Sequence, residues 1–263
     1  MSPRASPAAA RRQARGAAPH VLVVAGLDPS GGAGLVADLE AVRAAGALGW
    51  AVAAALTAQG PGGARGFEPA SARMLIAQID ALVLGAERPR AVKTGMLATA
   101  GLARALAARL AARPLEKVPL VVDPVLAASS GAPLFDAEGR SPGEALAPLL
   151  ERARLATPNL PELAALTGLD VSTDDAAARA ARALPARAVL VKGGHREGAP
   201  LDLLVTRGGV TRIAGRRRAG TAPGTGCRLA AGIAARLAQG ASLEDAVRGA
   251  KRIVERYLDR AAR

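Results

Sequence analysis

The chain has one cysteine, one asparagine and four aromatic residues among its 263. A single cysteine rules out an intrachain disulfide, which fits a reducing, cytoplasmic setting. No stretch is long and apolar enough to read as a membrane span, and no internal repeat is visible. The net charge of +13 and pI near 11.4 raise nucleic-acid binding as a class. Two features argue against it. Arginine outnumbers lysine 31 to 4, which points to compositional bias rather than a built basic surface. The aromatics Trp50, Phe67, Phe135 and Tyr257 are scattered, so no stacking platform is available for bases. Neither a nucleic acid nor a membrane is expected as a partner.

What is present is hydrophobic: half of the residues, enough for one large core and one α/β domain. Residues 1–19 carry four arginines and no acid amid alanine and proline, and are read as a disordered basic segment ahead of a domain spanning 20–263. From His20 onward, short apolar runs alternate with alanine-rich stretches of helical period. Strands are expected over 21–25, 50–56, 91–93, 118–122, 155–157 and 188–191. Helices are expected over 33–45, 71–84, 99–112, 160–167 and 174–184. Such alternation predicts a mostly parallel sheet covered on both faces. Near the end, 201–206 and 210–214 flank Arg207-Gly208-Gly209 as a β-hairpin, and two helices follow, the second opening at Ser242 with Asp245.

In open α/β folds ligands gather at the carboxyl ends of strands, and the unusual residues fall there. After the first strand stands Gly26-Leu27-Asp28-Pro29-Ser30-Gly31-Gly32-Ala33-Gly34, with Asp38 a turn into the next helix. It fits neither the Walker nor the dinucleotide pattern, and tight-turn geometry explains it as well as ligand approach does. Thr57-Ala58-Gln59 ends the next strand, where an amide offers a paired donor and acceptor to a heterocycle, or simply sits in an exposed loop. Lys93-Thr94-Gly95-Met96 and Val122-Asp123-Pro124-Val125 add a cation, a carboxylate and apolar walls. Asn159 and Glu162, three apart at a helix start, suit either a capping box or water held around Mg²⁺. Lys192, one of four lysines, ends another strand in Lys192-Gly193-Gly194-His195 and is read as a phosphate contact, with His195 assigned to structure. Gly224-Thr225-Gly226-Cys227 precedes an alanine-rich helix, so unpaired amides and the helix dipole make an anion site there. The same field is expected to depress the Cys227 thiol pKa.

These segments, in this order over roughly 21–258, resemble the hydroxymethylpyrimidine/phosphomethylpyrimidine kinases of thiamine biosynthesis, in the ribokinase-like superfamily. The resemblance implies a three-layer α/β/α sandwich and a homodimer. It implies MgATP-dependent phosphorylation of 4-amino-5-hydroxymethyl-2-methylpyrimidine, then of its monophosphate. It assigns Gly26, Asp38, Gln59, Met96 and Val125 to the pyrimidine, Lys192 and Asn159 to the nucleotide, Glu162 and Asp123 to the metal, Gly224, Thr225 and Gly226 to the anion hole, and Cys227 to the base.

The sequence also departs from that family. Thr221-Ala222-Pro223 stands where Asn-Thr-His is usual, Gly60-Pro61 where Asn-Thr is usual, and Ala128 where a lysine is usual. Arg228 replaces a small hydroxyl residue and, as a cation at a helix N-terminus, is expected to reach a phosphate in place of the lost lysine. A pyridoxal kinase and a pyrimidine-binding sensor without turnover are the alternatives. Gln59 with Thr94-Gly95-Met96 favours the pyrimidine over pyridoxal, and the retained Cys227, Lys192, Asn159 and Glu162 argue against a sensor.

Overall fold

The computed structural model describes residues 17–60, 62–85, 87–128, 130–193, 200–216 and 222–262. Most of the expected N-terminal segment, together with Pro61, Gly194, His195 and Thr221, lies outside the described residues. Among the described residues, no helix is long and apolar enough to cross a membrane.

The chain runs β1 (His20–Leu27), α1 (Gly34–Ala44), β2 (Leu48–Gly60), β3 (Gly63–Pro69), α2 (Ala72–Val83), β4 (Pro89–Thr94), β5 (Ala98–Thr99) and α3 (Ala100–Ala111). It continues through β6 (Leu120–Val122), β7 (Phe135–Asp136), α4 (Pro142–Leu150), β8 (Leu155–Ala156), α5 (Leu160–Thr167) and α6 (Asp174–Ala183). It ends with β9 (Ala188–Val191), β10 (Leu201–Thr206), β11 (Gly209–Ala214), α7 (Thr225–Ala238) and α8 (Leu243–Ala261). Nine strands form one sheet in the order β11-β10-β9-β8-β6-β4-β1-β2-β3, while β5 and β7 form a small separate ladder. Pairings from β9 through β2 are parallel, and the antiparallel pairs lie at the two edges.

The central strand shows why two helical layers form. Successive side chains of β1 point to opposite faces. Leu22 and Val24 join Leu75 and Ile79 of α2 and Leu106 of α3 on one side. Val21, Val23 and Ala25 join Val42 of α1, Ile233 of α7 and Val247 of α8 on the other. With so few aromatics, the second layer depends on close approach of small residues. A methyl group added at Gly232 of α7 would sit 3.1 Å from the Ala250 β-carbon of α8.

The strands and helices anticipated from periodicity are present, including the β10–β11 hairpin and the Ser242 cap, whose side chain accepts from the Asp245 N–H. Beyond the short β5–β7 ladder, two elements are additions. Strand β3 pairs antiparallel with the end of β2, although its Gly63-Ala64-Arg65-Gly66 start lacks strand alternation. As a result Gln59 lies within β2, opposite Ala64, rather than in a loop. Helix α4 is the second, and it carries a full capping box between Ser141 and Glu144.

Replacing Ser141 by alanine removes the acceptor for the Glu144 N–H. It should cost about 1 kcal/mol of stability in urea unfolding, with the slope against denaturant unchanged. An unchanged midpoint would show that α4 is held by packing alone.

Candidate active site

The carboxyl ends of β1, β4, β6, β8 and β9 open onto one edge of the sheet, where the N-terminus of α7 also arrives. The turn after β1 is organised by Asp28, which is buried. Its carboxylate accepts from the Ser30 N–H at 2.9 Å, the Ser30 hydroxyl at 2.7 Å and the Ala33 N–H at 2.9 Å, and from the Gln59 amide at 3.4 Å. Gly26 has to lack a side chain: an added β-carbon would lie 2.7 Å from the Met96 sulfur. Gly34 opens α1 with φ of +57°, a backbone region that favours glycine. Gly26 and Met96 are thus in contact, and Gln59 reaches the same turn through Asp28. Val125 stands nearby with Thr94, Gly95, Leu97 and Phe135 around a small, mostly apolar cleft.

Beneath this turn lies a closed ion pair. Asp38 of α1 and Lys93 of β4 are both fully buried, with Nζ to Oδ2 at 2.6 Å. Burial pushes the Asp38 carboxyl up to about 6 even against the pull of Lys93. Burial alone would lower the Lys93 ammonium pKa, but Asp38, Cys227 and Asp123 outweigh it and hold it above its ordinary value. The second Asp38 oxygen, Oδ1, is buried without a hydrogen-bond partner. Asp38 therefore reaches the cleft through Lys93 rather than as an exposed carboxylate.

A second cation stands at the end of β9. The Lys192 Nζ lies 2.8 Å from Asp123 Oδ1 and 3.6 Å from Glu162 Oε2. It also borders the first turn of α7, since a β-carbon on Gly226 would come within 3.2 Å of it. Asp123 also accepts from the buried Thr157 hydroxyl at 3.0 Å. Burial would raise the Asp123 carboxyl, but Lys192 and Lys93 together hold it below the usual range. Burial also raises Glu162, and there Lys192 fails to offset it. The Asn159 and Glu162 pair is a complete capping box, each side chain accepting the other's backbone N–H at 2.7 Å. The capping reading is realised, and Glu162 additionally faces Lys192.

These residues set limits on a metal. Among the described residues no three His, Cys, Asp or Glu side chains are grouped to hold an ion. Asp123 and Glu162 already share an ammonium. Mg²⁺ typically keeps several waters and takes one or two carboxylates plus substrate phosphates. The pair fits an ion that arrives with a nucleotide, not a resident protein cage.

Gly224 caps α7 with φ of +69°, and Thr225, Gly226 and Cys227 form the first turn, whose N–H groups have no intrahelical partner. The expected depression of the Cys227 thiol does not occur. Burial, reinforced by Asp38 and Asp123, pushes it up to about 11, despite Lys93 and a hydrogen bond from the Gly34 N–H. Desolvation outweighs the dipole here. Arg228 also differs from expectation: its guanidinium is spent on Glu40, at 2.7 Å, and on the carbonyls of Gly32 and Pro223 at 2.8 and 3.3 Å. It is not free for a phosphate.

Sequence reasoning missed Asp28 and Asp202 as supports. Asp202 of β10 is buried, accepts from the Gly193 N–H at 2.9 Å and pairs with Lys251, fixing the backbone after Lys192. Asp28-Pro29-Ser30 carried a turn signal that pointed to the first. No local pattern marks Asp202, whose partner lies 49 residues away.

Removing Lys93 alone strands a buried carboxylate, so Lys93→Met should cost about 3 to 5 kcal/mol in urea unfolding at neutral pH. Adding Asp38→Leu to that variant should recover most of the loss. Additive losses would show that the two groups do not depend on each other.

Comparison with known proteins agrees with this geometry. Residues 28–263 match the family described as phosphomethylpyrimidine kinase. A hydroxymethylpyrimidine/phosphomethylpyrimidine kinase of Staphylococcus aureus is 35% identical over 89% of this chain and 85% of its own. The crystal structure of phosphomethylpyrimidine kinase from Clostridium difficile superposes with a TM-score of 0.74 at 30% identity, covering 93% of this chain and 100% of that one. The pyridoxal kinase of Staphylococcus aureus in complex with AMP-PCP gives a TM-score of 0.77 at 27% identity, over 91% of this chain and 88% of that one. The fold is the ribokinase-like one of these kinases, and the chain belongs to the phosphomethylpyrimidine kinase family.

Proposed function

We propose that the protein transfers the γ-phosphoryl group of ATP to the hydroxymethyl oxygen of 4-amino-5-hydroxymethyl-2-methylpyrimidine, and then phosphorylates the monophosphate to the diphosphate. Membership of a kinase family supports ATP as donor. The same reading includes a homodimer in the cytoplasm, as the family resemblance and the lone cysteine suggest. The observation that carries the proposal is convergence: Lys192 borders the amide turn of α7 that ends in Cys227, at the strand ends that also carry the Gly26–Met96 contact and the small cleft lined by Val125.

Phosphoryl transfer requires positioning and charge stabilisation more than covalent help. In this reading Gln59 and the walls from Gly26, Met96 and Val125 orient the pyrimidine ring. The N–H groups of Gly226 and Cys227 and the Lys192 ammonium receive the charge that builds on the transferring group. Asn159 and Glu162 border the nucleotide phosphates. Glu162 and Asp123 would hold a magnesium ion that arrives with the nucleotide, and that ion would supply charge neutralisation at the phosphates. Cys227 takes the hydroxyl proton in the first step. In the second step the acceptor is an anionic phosphate and has no such proton to lose.

Purified protein should therefore convert both the pyrimidine and its monophosphate with MgATP, with products identified by mass. Turnover of pyridoxal in their place would replace the reading with the sibling activity seen in the pyridoxal kinase of similar fold. Binding without turnover would make the protein a sensor.

Cys227→Ala should slow the first phosphorylation by about 10² to 10⁴, the span of general-base catalysis, and the second far less. Because the thiol lies near 11, the thiolate fraction grows roughly tenfold per pH unit above neutrality, and the first-step rate should climb with it until about that pH. The variant should lose this slope. Equal losses in both steps, or a slope that survives the substitution, would remove Cys227 from the role of base.

A further inference from the structure

Arg228 is a cation in the first turns of α7, where the helix dipole disfavours positive charge, yet its side chain is only 5% exposed. Its contacts account for that burial. One guanidinium nitrogen donates to the Gly32 carbonyl at 2.8 Å and to the Pro223 carbonyl at 3.3 Å. The other meets Glu40 of α1 at 2.7 Å. The guanidinium carbon stands 3.7 Å from the centre of the Tyr257 ring, and the Tyr257 hydroxyl donates to the same Pro223 carbonyl at 3.2 Å. One side chain thus ties together the glycine-rich turn after β1, α1, the turn before α7, and α8.

The two turns it joins also interlock directly. A β-carbon on Gly32 would lie 3.1 Å from the Pro223 ring, and one on Gly224 would run into the Gly32 carbonyl. Across the same seam, the Gly34 backbone N–H favours the thiolate of Cys227. The seam separates the two halves of the proposed site: Gly26 on one side, the amide turn and Cys227 on the other.

We infer that Arg228 is a positioning residue that locks the glycine-rich turn to the α7 turn, setting Cys227 in register with the pyrimidine cradle before any ligand arrives. It acts through Gly32 and Pro223 and touches no reacting atom. The planar fork matters, because lysine has a single charged nitrogen and cannot hold Glu40 and two carbonyls while stacking on Tyr257. In this chain Pro223 and Arg228 act as one unit: the proline carbonyl is the acceptor that Arg228 and Tyr257 share. The inference builds on the kinase reading but has a readout that does not require activity.

Cys227 is the only cysteine, so its alkylation by iodoacetamide reports on this seam alone. In Arg228→Ala, kept at a temperature where circular dichroism shows the native fold, alkylation should accelerate on the order of tenfold, a typical size for coupling between sites. The KM for the pyrimidine should rise by a similar factor, with Arg228→Lys in between. A residue that merely stabilises the fold would lower the melting temperature and leave both quantities unchanged while the protein is folded. If Arg228→Ala does not fold, Tyr257→Phe, which removes the hydroxyl's bond to the Pro223 carbonyl, and Glu40→Ala, which removes the carboxylate partner of Arg228, should each shift both quantities in the same direction by less. Folded variants whose alkylation rate and KM stay within twofold of the parent overturn the inference. If the parent phosphorylates no pyrimidine, the alkylation series still decides the lock, and only the functional reading fails.

Discussion

Two ammonium groups and three carboxylates gather at the carboxyl edge of the sheet, all of them buried except the partly exposed Lys192, and none of the buried ones could remain there alone. Lys93 holds Asp38, Lys192 holds Asp123 and Glu162, and Asp123 interacts with both lysines. The count leaves one carboxylate in excess. Burial is the main reason that Asp38 and Glu162 bind protons more readily than usual, and Asp123 adds to it in both. The Cys227 thiol is held neutral by the same burial and the same carboxylates. A cation arriving with a nucleotide would relieve that excess.

The rest of the fold places those charges. Parallel strands deliver Lys93, Asp123 and Lys192 to a single edge, because β4, β6 and β9 all run the same way. Glycines allow the close approaches on which the site depends: Gly26 against Met96, Gly95 beside the Lys93 ammonium and Gly226 beside Lys192. Helix α7 supplies the amide turn, and its small residues let it lie close against both the sheet and α8. Arg228 then closes the remaining seam from outside.

Much of this was legible in the sequence, for identifiable reasons. The helices and parallel strands follow from apolar runs of distinct period. Glycine-rich turns, the lone Asn159 and a scarce lysine stood out against an alanine- and arginine-rich background. What was not legible depends on three dimensions. The N-terminus of α7 suggested an acidic thiol, but burial beside Asp38 and Asp123 reverses the shift. A cation beside the anion turn suggested a phosphate ligand, but Glu40, 188 residues earlier in the sequence, claims Arg228. Strand β3 was hidden because its glycines and arginine carry no alternation, and Asp202 because its partners are distant in sequence.

The proposed phosphoryl transfer depends on Lys192 and the α7 turn together receiving the nucleotide phosphates. Calorimetric titration of AMP-PCP with magnesium into the parent and into Lys192→Met tests it most directly, with circular dichroism confirming that the variant is folded. Losing a charge-assisted contact should weaken nucleotide binding on the order of tenfold to hundredfold, while affinity for the pyrimidine stays near that of the parent. Equal nucleotide affinity in the two proteins would contradict the account and confine Lys192 to holding Asp123 and Glu162 in place.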